Sequence, residues 1–180
     1  DNSPDGTSKI VESNFDNYEN LHLIKRAGKL GLGSAYIEGF KWFLNSNYSN
    51  CLQMDGDFSH SFNDLKNILD SILDADLIIG SRYTAGGSTV GWSIERRLLS
   101  KYANILSRTI LRSKINDLTG GFNLLSREVV SEIINLGPSS NGYTFLMEVK
   151  NLIEKKGFKI KEVPITFVER ESGKSKMNNQ

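Results

Sequence analysis

The chain has 180 residues, a net charge of +1, one cysteine, and the apolar and charged content of a soluble globular domain. That balance excludes a global electrostatic case for nucleic acid, and a lone thiol excludes an internal disulfide. No stretch approaches the roughly 20 apolar residues of a spanning helix, and no signal-peptide pattern is present.

Residues 1–7 are turn-rich and lead into a short helix near 8–14. Residues 21–25 alternate apolar and polar, which predicts a strand. A glycine loop follows (Gly28, Gly31, Gly33), with Ser34 as the expected cap of a helix to about Leu44. Its spacing differs from G-x-G-x-x-G, which argues against a dinucleotide cofactor. Residues 51–54 read as a short buried strand ending at Asp55; Cys51 within it is expected to be inert, in a reducing compartment. Helical spacing covers 61–73, and 77–79 form a buried strand running into Gly80-Ser81-Arg82-Tyr83. Residues 84–91 read as a flexible loop. Helices are expected at 94–111, 127–136 and 144–156, and strands at 121–125 and 159–168, with Pro164 marking an edge or bulge. Alternation of this kind predicts one α/β domain over 1–180, a mostly parallel sheet with helices on both faces. The opening at Asp1 inside a turn and the polar stretch 174–180 predict a piece of a longer domain, cut at both ends.

Asp55-Gly56-Asp57 carries the chemistry. Two carboxylates at i and i+2, at the carboxyl end of a strand, make a hard oxygen site for Mg²⁺ or Mn²⁺, where open α/β sheets bind ligands. A pair of solvated loop acids is the plain alternative. A phosphatase of the haloacid-dehalogenase type is another, since Asp55 to Ser59 fit D-x-D-x-[ST]; that motif belongs on a first strand, and a βα unit precedes it here. His60, beside the pair, is placed to orient a ligand. Arg82 at the next strand end could fork onto a phosphate or decorate a turn.

The helix at 94–111 carries Arg96, Arg97, Lys101, Arg108 and, just beyond, Arg112 and Lys114, with no acid between 96 and 114. Ile94, Leu98, Tyr102 and Ile105 form a stripe, broadened by Leu99, Leu106 and Ile110, that is expected to face the core. A position near an anionic membrane or a phosphorylated lipid is the sharper reading. Arg170, Lys174 and Lys176 sit in a polar segment that could close over a diphosphate or remain a solvated tail.

Taken together, these residues resemble the polyprenyl-phosphate mannosyltransferase (dolichol-phosphate mannose synthase) family. Its members are inverting glycosyltransferases of family 2 with the GT-A (Rossmann-like) fold. The resemblance runs through Asp1–Thr7, Lys29–Ile37, Met54–His60, Gly80–Tyr83, Gly91-Trp92, Arg96-Arg97 with Ser100, Asp117–Phe122, Glu162–Arg170, and Gly173-x-Ser175-Lys176. The family's opening P-x-Y-N-E strand and the first Asp of its DD pair are absent, so the sheet is expected to lack its first strand.

The resemblance implies roles. Asp55 and Asp57, with Ser59 as a further ligand, would hold Mg²⁺ or Mn²⁺ on the donor diphosphate. Asp1 would contact the nucleoside, and Gly56 the donor through its backbone. Arg82 would sit between donor and acceptor phosphates, with Asp57 and Arg82 closest to the chemistry. Arg96 and Ser100 would grip the lipid phosphate, and Arg170 and Lys176 would close over the diphosphate. The implied reaction moves mannose from GDP-mannose to a polyprenyl or dolichyl phosphate, at the cytoplasmic face of a membrane, by a peripheral enzyme. A sister transferase using UDP-glucose is the alternative. A lipid monophosphate is already ionised, so no general base is needed; transfer to a sugar hydroxyl would need one, with Asp117 as candidate.

Overall fold

The computed structural model describes residues 6–14, 17–140 and 142–169. Asp1, Arg170 and Lys176 lie outside the described residues. In chain order the elements are α1 (Thr7–Glu12), α2 (Leu32–Leu44), β1 (Asn50–Gln53), α3 (Phe62–Asp70), β2 (Leu77–Ser81), β3 (Ser88–Val90), α4 (Ile94–Leu111), β4 (Asn123–Ser126), α5 (Arg127–Leu136), α6 (Tyr143–Lys155), β5 (Ile160–Pro164) and β6 (Thr166–Val168).

The main sheet has the order β1-β4-β2-β5. β4 runs antiparallel to both neighbours and β2–β5 is parallel, so β1, β2 and β5 point one way and β4 alone is reversed. The α/β class stands, with a mixed sheet. Alternating side chains feed the two faces. Leu77, Ile79 and Leu125 join Phe40, Phe43, Val129, Ile133, Phe145 and Ile153 beneath α2, α5 and α6. Ile78 and Leu124 join Ile68, Phe122, Val163 and Ile165 on the α3 side.

Several expectations change. Residues 21–25 form no strand, because no described segment pairs with them. α2 starts earlier than expected, behind Gly31 in place of Ser34; the Ser34 hydroxyl lies 2.7 Å from Leu30 O and accepts from Arg26 Nη2. The loop at 84–91 contains β3, which pairs in parallel with β6 as a second, two-stranded sheet. Gly87 permits the turn before it, since a Cβ there would sit 2.5 Å from Ser81 O. The expected strand at 159–168 is two strands in two sheets. Ile165 donates to Ser81 O of β2 and accepts from Ser88 at the start of β3, so the chain changes sheets there. Pro164 ends β5, where its missing N–H costs no ladder bond.

α4 differs most from expectation. Ser93 caps it, and Ser100 and Asn104 are its only buried residues. The stripe expected to face the core is turned to solvent, with Ile94, Leu98, Tyr102 and Ile105 between 46% and 73% exposed. Polar groups moor the helix instead. Asn104 Nδ2 donates to Thr119 Oγ1 at 3.2 Å, and Asn104 Oδ1 accepts from the Leu118 amide at 2.9 Å. Among the described residues, no helix is long and apolar enough to cross a membrane.

Candidate active site

The topology gathers the chemistry at one end of the main sheet. Gln53 at the end of β1 and Ile79 near the end of β2 both face Asn123 at the start of β4, and Ser81 faces Pro164 at the end of β5. Asp55 and Asp57, Arg82, and the turn from Asp117 to Gly120 therefore emerge at the same edge.

The Asp55 carboxylate is half-exposed. Asp57 Oδ1 accepts from the Ser59 amide at 3.1 Å, which folds the segment back on itself. Between them Phe58 takes φ +60°, a left-handed conformation that costs a bulky residue energy. Ser59 Oγ and both ring nitrogens of His60 are buried without hydrogen-bond partners among the described residues. The His60 ring packs 4.4 Å from Phe122 and edge-on to Phe167, with Nε2 3.9 Å from Asp55 Oδ2. Two carboxylates beside an orphaned buried hydroxyl are a donor set that fits a hard divalent cation. Among the described residues no group of three or more His, Cys, Asp and Glu gathers around one point. Gly56 has open space where a Cβ would go, so alanine fits equally well.

Arg82 is buried and committed. Its Nε and Nη2 form a forked pair with Asp117 at 2.7 and 2.8 Å, its backbone amide donates to the same carboxylate at 3.0 Å, and Nη2 also reaches Thr119 Oγ1. Nη1 carries no hydrogen bond among the described residues. Burial acts to lower the Arg82 pKa, but the Asp117 hydrogen bonds and charge overcome it and the net shift is upward. For Asp117, burial acts to raise the pKa, yet Arg82 holds the carboxyl well below the usual carboxylate range. Asp117 is fully buried and both its oxygens accept from Arg82, so neither is open to a substrate hydroxyl as a base would need to be. The turn carrying it is clamped from both sides. Glu162 of β5 accepts from the Asn116 and Asp117 amides at 2.9 and 3.0 Å. Lys150 of α6 donates to the Asp117 and Gly120 carbonyls at 2.9 and 2.8 Å; burial pushes its pKa down to about 8, against the pull of Asp117.

Arg96, in the first turn of α4, pairs with Glu169 and stacks over Trp92 at 4.3 Å. Arg82 lies over the same ring at 5.5 Å. Ser100 Oγ accepts from the Tyr83 hydroxyl at 2.6 Å, which ties α4 to the residue after Arg82. The structure therefore brings Arg82, Arg96 and Ser100 into one network through Trp92 and Tyr83. Asp55 reaches that network through His60 and Phe167. Sequence reasoning missed Asn104 and Lys150. Asn104 had a signal: with Ser100 it makes an i, i+4 pair of small polar residues opposite the apolar stripe.

The chain is 42% identical over 180 residues to a polyprenol monophosphomannose synthase of Mycolicibacterium smegmatis, covering 99% of this chain and 68% of that protein. It is 37% identical to an undecaprenyl-phosphate mannosyltransferase of Micrococcus luteus, covering 99% of this chain and 73% of that protein. Its fold matches the crystal structure of a glucosyl-3-phosphoglycerate synthase from Mycobacterium tuberculosis, solved with Mn²⁺ and UDP-glucose. That match has TM-score 0.55 and 16% identity, and covers 86% of this chain and 50% of the other. Residues 1–134 match the profile of glycosyl transferase family 2. The chain belongs to glycosyl transferase family 2, a family of sugar-transferring enzymes.

Proposed function

We propose that this chain moves mannose from GDP-mannose to a polyprenyl or dolichyl phosphate. The observation that carries the reading is the engagement of Asp117. The acid best placed to act as a base is buried and spent on Arg82, which suits an acceptor that arrives already ionised. The resemblance to a polyprenol monophosphomannose synthase and an undecaprenyl-phosphate mannosyltransferase supports the same acceptor class.

In this reading Asp55, Asp57 and Ser59 hold Mg²⁺ or Mn²⁺, which when bound neutralises charge on the donor diphosphate. Arg82 and Arg96 with Ser100 draw the acceptor phosphate toward the anomeric carbon, overcoming the repulsion between two anions. Displacement is in line, with inversion, and the nucleoside diphosphate departs toward the acid pair. Asp1, Gly56, Arg170 and Lys176 complete the donor site by resemblance. The solvent-facing apolar side of α4, flanked by Arg97, Lys101 and Arg112, suits peripheral docking at the cytoplasmic face of an anionic membrane. The chain's membership of a sugar-transferring family argues against a phosphatase.

Incubation with labelled GDP-mannose, Mg²⁺ or Mn²⁺ and polyprenyl phosphate should yield label extractable into organic solvent. Label from UDP-glucose alone would move the assignment to a sister transferase, and phosphate release without a sugar donor to a phosphatase. Asp57→Asn should cut transfer by about 10²-fold or more with thermal unfolding unchanged; full turnover in that variant would remove the metal-site assignment.

A further inference from the structure

Two guanidiniums from separate elements lie over one indole. The Arg96 carbon is 4.3 Å from the Trp92 centroid and the Arg82 carbon 5.5 Å. Each cation already has a carboxylate, Glu169 and Asp117 respectively, so neither depends on the ring for neutralisation. Trp92 is buried, Phe167 meets it edge-on at 5.5 Å, and its Nε1–H has no hydrogen-bond partner among the described residues. An unpaired buried donor is a cost, and a leucine would fill the space without it. What an indole adds is its face, the strongest cation-binding surface among side chains. Its neighbour Gly91, at φ +84°, lets the chain pass Glu169, where a Cβ would come within 3.0 Å of the glutamate Cβ.

We infer that Trp92 is a positioning residue. It sets the separation and tilt of Arg82 and Arg96 so that they meet two phosphate groups as a pair, one in a nucleoside diphosphate and one in a phosphate monoester. This rests on the transfer reaction proposed above.

The chain has two tryptophans, and Trp42 is outside the site, so W42F leaves Trp92 as the sole indole reporter. In W42F protein, Trp92 emission should change on titration with inorganic phosphate and with a short-chain polyprenyl monophosphate, and R96A should abolish the change. W92F should keep the acceptor KM within about threefold of wild type, whereas W92L should raise it about tenfold or more. The donor KM should rise in W92L by less than the acceptor KM, because Asp117 and Thr119 also hold Arg82, while the thermal midpoints of W92F and W92L stay alike. Silent Trp92 emission in protein that uses the lipid phosphate would overturn the inference. So would W92F as impaired as W92L, or W92L equal to wild type. A wild type that transfers no mannose, with W42F protein that still shows the Arg96-dependent emission change, would reject the reaction and support the role of Trp92.

Discussion

α4 and α5 are both amphipathic and both begin behind a serine cap, yet they face opposite ways. α5 lays Val129, Val130 and Ile133 into the core, each at 1% exposure or less. α4 turns its apolar side outward and is fastened through Ser100 and Asn104 to Tyr83 and to the Asp117–Gly120 turn. Periodicity reveals that a helix has two different sides; it does not say on which side the protein lies. One helix is held by excluded water, the other by a polar network that doubles as the floor of the site.

That contrast can be broken from its centre outward. Asp117→Asn removes the charge beneath Arg82 and leaves a buried guanidinium half-paired, so urea unfolding at neutral pH should report a loss of about 3–5 kcal/mol. The sign of the pH dependence follows from the lowered Asp117 pKa. Its contribution is complete above the ordinary value of 3.8 and is lost as pH falls toward about 2, so wild type and variant should converge across that window. Ile133→Ala should cost about 2–5 kcal/mol by the same measurement, as cavities in a core do. Asn104→Ala strands the Leu118 amide and should cost about 1–3 kcal/mol; a negligible effect would mean that α4 is moored by something else. Leu99→Ser should change stability by less than about 0.5 kcal/mol while weakening co-sedimentation with anionic vesicles. A core-sized loss there would reverse the orientation of α4.

Much of the fold was legible. The bounds of α4 and α5 are those the sequence predicts, and the strand ends near Asp55 and Arg82 follow from short apolar runs that stop at polar residues. The small sheet was not legible, because three-residue strands in a glycine-rich loop carry too little pattern. The split at Ile165 was hidden because alternation continues unbroken across it. At the site, residue types pointed to phosphate chemistry, but their partners lie far along the chain. Nothing near Arg82 announces that Asp117 will occupy it, or that Trp92 will carry two cations. Cys51 is partly buried where a buried strand was expected, and burial pushes its thiol up to about 11, far from the reactive thiolate.

β6 is three residues long, yet it touches both halves of the site. Thr166 donates to Asp64 at the cap of α3, 102 residues earlier in the chain, and Val168 donates to Ser59 O beside the acid pair. The next residue, Glu169, holds Arg96. During synthesis the acid pair leaves the ribosome long before these partners exist. The segment that carries the pair must wait, half-held, until β6 has emerged. Contacts this distant in sequence slow folding, so docking of β6 should gate the appearance of a competent site, and a delay in that docking should be felt as delayed activity in a fully helical protein.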